Sequence, residues 1–267
     1  MKEETLFLGM LQGVTEFLPV SSSGHLGIAK ITAGISDPSF AFDLVLHLAT
    51  LLAVLVFFAR DIASLLIEWL FGFFNPNARS WDGWRFGWAV VAGVAVTAPI
   101  GILLEPFAAK ASANLLWLGG NLWITALLLL SSKSLGGHRA VRASDGLFVG
   151  LLQGLAVIPG ISRSGSTMWA GLLLGLSRDN AFRFSFLLSV PTIAGAAVYE
   201  AAKMGGVGNF MQALPDGWMP AAALAFVSGL ASLFLLKKIV AGDRCWVFSI
   251  YNMTVGGIAC ILYFMGV

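Results

Sequence analysis

Six apolar stretches, each long enough to cross a lipid bilayer, limit the fold of this 267-residue chain more than any other feature. They run about 41–59, 86–104, 114–131, 182–201, 218–236 and 246–265. Roughly 20 helical residues cross a hydrocarbon core about 30 Å thick. Only 11% of the residues are charged and 58% are hydrophobic. Because a helix satisfies its own backbone hydrogen bonds in lipid, we predict an all-α integral membrane protein with six transmembrane helices.

A short polar motif occurs twice in this otherwise apolar chain. Residues 9–25 align without a gap with residues 150–166, and the matched positions are always 141 apart. The identical pairs are Gly9 and Gly150, Leu11 and Leu152, Gln12 and Gln153, Gly13 and Gly154, Ser21 and Ser162, Ser23 and Ser164, and Gly24 and Gly165. A duplicated polar segment in a membrane protein indicates two halves that meet around a site.

Each copy of the motif lies between two short apolar arms. The first arms, 4–18 and 146–158, are too short to span, since each gives only about 20 Å of helix. The second arms run about 25–35 and 166–176. We interpret both pairs as re-entrant helical hairpins, whose irregular backbone lies at membrane depth only where protein or trapped water covers it.

Three full crossings separate the two hairpins, so the second half is upside down relative to the first. We therefore predict one membrane domain, 1–267, arranged as an inverted-topology repeat. Its first repeat is 1–131 and its second is 145–267. The tips of the hairpins enter from opposite sides and are expected to meet near the middle of the membrane.

The basic residues predict which side is cytoplasmic. One side holds four: Lys2, Lys30, Lys110 and Lys203. The other holds eleven: Arg60, Arg79, Arg85, Lys133, Arg139, Arg142, Arg178, Arg183, Lys237, Lys238 and Arg244. The positive-inside rule assigns the second side to the cytoplasm, which leaves both termini outside. Residues 61–85, with three Trp, are predicted to form an interfacial helix and loop on the cytoplasmic face.

Glu16 and Arg163 are the strongest candidates for a functional role. They come from different hairpins, and the predicted architecture brings them together. Ionisable groups at membrane depth are costly and tend to be paired and functional. The alternative is a buried ion pair that only fixes the packing of the two halves.

Hydroxyl groups and glycines surround both candidates. The clusters are Ser21, Ser22, Ser23 and Gly24 in the first hairpin, and Gly160, Ser162, Ser164, Gly165, Ser166 and Thr167 in the second. Each cluster precedes a second arm and so lies at a helix N-terminus, where free N–H groups bind anions. With an Arg, they predict a phosphate site. The alternative is that Ser and Gly merely cap helices and allow tight packing.

Two further groups of side chains are open to more than one interpretation. His25 is a candidate nucleophile or general acid/base; Ser22 is the competing nucleophile, activated by His25 or Glu16. Gln12 lies four residues before Glu16, and together they can help to hold a hard divalent cation. Asp43 and His47 repeat that spacing on the next helix. They either form a second layer around the site or interact only with each other at the outer membrane interface, and we favour the second interpretation.

Both motifs resemble those of a known family. Gln12-Gly-Val-Thr-Glu-Phe-Leu-Pro-Val-Ser-Ser-Ser-Gly-His25 and Pro159-Gly-Ile-Ser-Arg-Ser-Gly-Ser-Thr167 are similar to the two signatures of undecaprenyl-diphosphate phosphatases of the BacA/UppP type. The resemblance extends over the whole chain in length, segment spacing and duplication.

The resemblance implies removal of the terminal phosphate from a polyprenyl diphosphate, which yields the monophosphate carrier of cell-wall sugars. It also implies a bacterial cytoplasmic membrane, a site that opens to the outer face, bacitracin resistance and a divalent cation, Mg or Ca. By position, the catalytic residues are Glu16, His25, Ser22 and Arg163. The substrate-binding residues are Gln12, Ser21, Ser23, Gly160, Ser162, Ser164, Gly165 and Thr167, and the cation ligands are Glu16 and Gln12. Gln12 stands where many members have Glu, which excludes a metal site of two carboxylates at 12 and 16.

The main alternative belongs to another class of protein. Inverted repeats with broken segments at the midplane are typical of transporters, so the same site could serve a lipid-phosphate flippase. A purely structural scaffold is a weaker third interpretation. The expected partners are the lipid substrate and the bilayer, with no nucleic acid; the oligomeric state is open, and a homodimer is one alternative.

Overall fold

The computed structural model describes residues 2–35 and 40–267, and every regular element in this part of the chain is a helix. It contains two short 3-10 helices, Pro76–Ser80 and Ser132–Ser134, and twelve α-helices. The α-helices are α1 (Lys2–Phe17), α2 (Ser22–Ala33), α3 (Phe40–Phe57), α4 (Ala59–Phe74), α5 (Asp82–Ser112), α6 (Leu115–Ser131), α7 (Asp145–Leu155), α8 (Arg163–Leu173), α9 (Arg178–Lys203), α10 (Val207–Gln212), α11 (Trp218–Ala241) and α12 (Val247–Phe264).

Five helices in the described part are long and apolar enough to cross a membrane: α5, α6, α9, α11 and α12. The helices α3 and α4 give a sixth candidate, a pair bent by 75°. All six predicted stretches fall on these helices. The predicted all-helical, multi-pass membrane protein is therefore confirmed.

The bent pair agrees with the predicted elements. The predicted span 41–59 is α3, and the helix and loop predicted at 61–85 are α4 and the segment that contains the 3-10 helix Pro76–Ser80. The interfacial location of this segment stays a prediction. Edge-to-face aromatic contacts hold α4 on α5, with ring centroids 5.9 Å apart for Trp69 and Trp88 and 5.1 Å apart for Phe73 and Trp84. This packing explains why an aromatic-rich segment continues as a helix after the bend.

Two pairs of short helices occupy the positions of the predicted hairpins. The helices α1 and α2 have 16 and 12 residues, and α7 and α8 have 11 each. Each pair is joined by a turn of a few residues, and the Ser/Gly cluster begins in that turn and continues into the start of the second helix. Whether both arms enter and leave the membrane on the same side stays a prediction.

Glycines at matched positions of the motif pack the first arms closely against long helices. A Cβ atom at Gly9 would lie 2.4 Å from the carbonyl oxygen of Ala221, which puts α1 directly on α11. A Cβ atom at Gly150 would lie 2.4 Å from the carbonyl oxygen of Gly93, which puts α7 directly on α5. The two copies of the motif therefore use this glycine in the same way.

The turns of the two hairpins are held by asparagines on α6 and α12. Asn121 of α6 donates a hydrogen bond to the carbonyl of Pro159, at 2.8 Å. Asn252 of α12 donates to the carbonyl of Pro19, at 2.9 Å. Both asparagines are buried. A buried carbonyl without a partner is costly, so these contacts fix where each turn lies.

Candidate active site

Serine side chains cap the second arm of each hairpin. Ser21 accepts a hydrogen bond from the backbone N–H of Gly24 at the start of α2, at 3.3 Å. Ser162 accepts one from the N–H of Gly165 at the start of α8, at 3.1 Å. Ser, Thr, Asp and Asn side chains at the N-cap position accept hydrogen bonds from N–H groups in the first turn of a helix, which have no partner within the helix. The Ser/Gly clusters thus mark two helix N-termini, as the sequence indicated.

The two turns touch each other. A Cβ atom at Gly24 would lie 3.0 Å from the Cα atom of Gly160, and one at Gly165 would lie 3.4 Å from the Cβ atom of Pro19. Gly160 has φ +93°, a backbone conformation that side chains rarely allow, and its missing side chain leaves room for Asn121. The close approach of the turns brings two helix N-termini to one place.

Glu16 and Arg163 form an ion pair across the contact between the hairpins. Arg163 Nη2 donates to Glu16 Oε1. The second carboxylate oxygen, Oε2, accepts from Gln12 Nε2 at 2.9 Å and from Ser22 Oγ at 2.6 Å. The Glu16 side chain is only 3% exposed and that of Arg163 is 20% exposed. Every side chain that donates a hydrogen bond to this buried carboxylate comes from one of the two motifs.

A cavity of about 180 Å³ opens beside this ion pair. Its lining residues are Glu16, Ser21, Ser22, Ser23, His47, Ala156, Val157, Ile161, Ser162 and Arg163. Several waters, at about 30 Å³ each, would fit in this volume. Six of the lining residues were candidates from the sequence. The cavity therefore lies between the two motifs and carries hydroxyls, a carboxylate and a guanidinium.

Other candidate residues support the cavity without lining it. Gln12 is buried behind Glu16. Thr167 Oγ1 donates to the carbonyl of Arg163, at 2.8 Å. Ser164 Oγ lies 3.2 Å from Ser162 Oγ. Gly160 and Gly165 contribute close backbone contacts rather than side chains.

His25 is turned toward α12 instead of the cavity. Its Nδ1 lies 2.9 Å from the carbonyl oxygen of Ser21, and its Nε2 lies 2.8 Å from the hydroxyl of Tyr251. The two rings stack, with centroids 5.5 Å apart. Both ring nitrogens therefore have partners. Sequence reasoning missed Tyr251, because nothing in one sequence distinguishes it from other aromatic residues in a predicted membrane span.

His47 lines the cavity. The interpretation that we favoured from the sequence, in which His47 and Asp43 form a pair at the outer interface, is therefore wrong. Its Nε2 is 3.7 Å from Glu16 Oε2, and its side chain is 33% exposed. Its Nδ1 is 2.8 Å from the carbonyl oxygen of Asp43. The carboxylate of Asp43 pairs with Lys30 at 2.7 Å. The packing of α3 against α1 places position 47 beside position 16, and the sequence alone does not fix that contact.

The side chains at this site do not fit a divalent cation held by the protein alone. Both carboxylate oxygens of Glu16 already bind partners, and Gln12 turns its amide nitrogen toward Glu16. Among the described residues, no group of three His, Cys, Asp or Glu side chains is arranged to hold a metal ion. The divalent cation implied by the resemblance stays a prediction.

The fold and the site together define a multi-pass, all-helical membrane protein with a polar cavity between two pairs of short helices. The chain belongs to the family of the bacitracin resistance protein BacA, whose family model matches residues 5–258. The family is bacterial.

Curated relatives cover almost the entire chain. A protein of Nocardioides sp. named undecaprenyl-diphosphatase is 35% identical over 271 residues, which are 99% of this chain and 97% of that protein. A protein of Mycolicibacterium gilvum with the same name is 37% identical, with the same coverage of both chains. A protein of Myxococcus xanthus, also so named, is 35% identical over 97% of this chain and 88% of its own length.

Proposed function

We propose that this protein is an undecaprenyl-diphosphate phosphatase, which hydrolyses the lipid diphosphate to the lipid monophosphate and inorganic phosphate. The printed names of the relatives support the substrate and the reaction. One observation carries the proposal at the level of residues: Ser22 and Arg163 both donate hydrogen bonds to Glu16, and all three residues line a cavity. That set supplies a hydroxyl, a carboxylate to orient it and a cation for phosphate charge.

The polar groups of the cavity suit a diphosphate. Phosphate carries its negative charge on several oxygens, and backbone N–H groups at helix N-termini bind such oxygens well. Ser22 and Arg163 are the first residues of α2 and α8. Ser21, Ser23 and Ser162 add hydroxyl donors. Donors fixed before the reaction stabilise the charge that develops on phosphoryl transfer.

Ser22 is the nucleophile that the geometry favours. Its hydroxyl donates to Glu16 Oε2 at 2.6 Å and faces the cavity, whereas both nitrogens of His25 are bonded elsewhere. The Ser22 oxygen forms a bond to the terminal phosphorus, and the bond from that phosphorus to the bridging oxygen breaks. The electron pair stays on the departing lipid phosphate, which receives the Ser22 proton through Glu16. Water then cleaves the phosphoserine.

The membrane arrangement is also a proposal. Re-entrant hairpins in an inverted repeat, 1–131 and 145–267, are supported by the matched contacts of Gly9 and Gly150 and by the matched asparagines Asn121 and Asn252. The excess of basic residues on one side supports a cytoplasmic assignment for that side. The site would then open to the outer face of the bacterial cytoplasmic membrane, with both termini outside.

A divalent cation, if the reaction requires one, is proposed to bind together with the diphosphate. Glu16 is the one carboxylate among the described lining residues, and both of its oxygens are occupied. Calorimetric titration of the substrate-free protein with Mg²⁺ or Ca²⁺ should therefore show no saturable binding. Tight binding of one ion per protein without substrate would contradict this expectation.

Point variants of the purified protein test the proposed site. We expect Ser22→Ala to lower phosphate release from a long-chain prenyl diphosphate by roughly 1,000-fold or more, and Arg163→Ala by roughly 100-fold or more. Ser80→Ala and Arg60→Ala change the same residue types at exposed positions away from the cavity and should keep full activity. Wild-type rates in Ser22→Ala would refute the assignment of Ser22.

A further inference from the structure

His47 has one ring nitrogen fixed and the other directed toward Glu16. The Nδ1 atom lies 2.8 Å from the backbone carbonyl of Asp43. A carbonyl oxygen only accepts hydrogen bonds, so Nδ1 carries the hydrogen. In the neutral ring, Nε2 is then an acceptor.

Two acceptors therefore face each other across a short gap. His47 Nε2 and Glu16 Oε2 are 3.7 Å apart, which is too far for a direct hydrogen bond. One small molecule with two hydrogens can reach both atoms at about 2.8 Å and donate one hydrogen to each. Both residues line the cavity, which is large enough for water.

We propose that His47 Nε2 and Glu16 Oε2 together bind the water that hydrolyses the phosphoserine formed at Ser22. The inference rests on the proposed function, and it makes His47 a further catalytic residue, because His47 contacts the reacting water. Ser22 Oγ lies 2.6 Å from the same carboxylate oxygen, so the bound water is held next to the phosphorylated side chain.

The step balances with the groups at the site. The water oxygen forms a bond to phosphorus, and the bond from phosphorus to Ser22 Oγ breaks. One proton of the water passes to Glu16 Oε2 and from there to Ser22 Oγ, which takes the electron pair of the broken bond. The other hydrogen stays on the attacking oxygen, which is now part of inorganic phosphate, and donates a hydrogen bond to His47 Nε2 until the phosphate leaves. Holding a nucleophile in a fixed position in this way is a large part of catalysis.

Three variants of His47 separate water binding from other roles. In His47→Asn, the amide can keep the bond to the Asp43 carbonyl but does not reach Glu16. In His47→Gln, the longer side chain carries its amide oxygen close to the position of His47 Nε2 and can accept the hydrogen bond from the water in its place. His47→Ala with added imidazole is the second route if the Asn variant does not fold.

The measurement is rapid-quench kinetics on the purified, full-length protein with a long-chain prenyl diphosphate. In His47→Asn, we expect a burst of about one lipid monophosphate per protein and then turnover slowed roughly 100-fold, with phosphate trapped on Ser22. His47→Gln should restore most of the turnover, and imidazole should do so for His47→Ala. Size-exclusion profiles report on folding.

Two results would overturn the inference. One is a wild-type rate in His47→Asn. The other is slow turnover in both His47→Asn and His47→Gln without a burst, as expected if a charged His47 only pairs with Glu16. Failure of the proposed function has a different signature, since the wild-type protein itself would then release no phosphate; failure of the Ser22 assignment alone would leave Ser22→Ala at the wild-type rate.

Discussion

At the scale of single residues, the site depends on the carboxylate of Glu16. Three side chains donate to it, and a fourth, His47, lies 3.7 Å away. In a low-dielectric interior, such a group is stable only with its partners in place, because the loss of one partner leaves a buried charge unbalanced. The same bonds that keep Glu16 charged also orient Ser22.

We predict that Arg163→Ala destabilises the protein by about 3 kcal/mol, because it leaves Glu16 charged and unpaired in the interior. Adding Glu16→Gln to that variant should recover part of the loss, since the charge is then gone. Unfolding of the detergent-solubilised protein by heat or denaturant measures both effects. A double variant less stable than Arg163→Ala would contradict the argument.

The sequence predicted the pair of Glu16 and Arg163 because both residues belong to recognisable motifs in a duplicated segment. It did not predict the position of His47 or the bond between His25 and Tyr251. Both contacts depend on which face of one helix meets another, at positions far apart in the chain. The geometry of helix packing, rather than any local pattern, decides them.

At the scale of helices, the small residues of the motif set how closely the arms pack. The first arms, α1 and α7, contact the carbonyl groups of α11 and α5 directly. Close backbone approach through glycine is a common means of helix association in membranes, because burial of apolar surface contributes little to helix association in lipid. This packing holds the two turns in contact.

We predict that Gly9→Ala destabilises the protein by roughly 1–3 kcal/mol, because its Cβ atom would lie 2.4 Å from the Ala221 carbonyl oxygen. Gly120→Ala is the matched control on α6, since its Cβ atom would meet nothing within 4 Å. The control should be neutral or stabilised by up to about 1 kcal/mol. Equal effects of the two changes in thermal unfolding would refute this account of the packing.

Apolar length was enough to predict the spanning helices, because the thickness of a bilayer fixes that length. It did not predict the 75° bend between α3 and α4, although a helix was expected within residues 61–85. The aromatic contacts between α4 and α5 stabilise that helix, and such contacts between distant residues leave no periodic signal in the sequence.

At the scale of the molecule, the proposed arrangement places the ends of the two hairpins on opposite sides of the membrane. We predict that Thr32→Cys and Asn209→Cys react with a membrane-impermeant maleimide from outside, and that Ser80→Cys and Ser144→Cys react only from the cytoplasm. All four positions are exposed. Labelling of Thr32→Cys and Ser144→Cys from the same side would contradict the inverted repeat.

The native thiols should give little background in this experiment. Burial raises the pKa of the Cys245 thiol to about 11, so near neutral pH it is protonated and a poor nucleophile. Its reactivity should rise as the pH approaches that value, because the thiolate then forms. Cys260 is buried within α12.

The most direct test of the central claim is phosphate release by the purified protein in detergent, with no gradient across a membrane. We predict one inorganic phosphate and one lipid monophosphate for each long-chain prenyl diphosphate consumed, and loss of both products in Ser22→Ala. Recovery of intact lipid diphosphate from the wild-type protein under these conditions would contradict the claim and favour a role in moving the lipid.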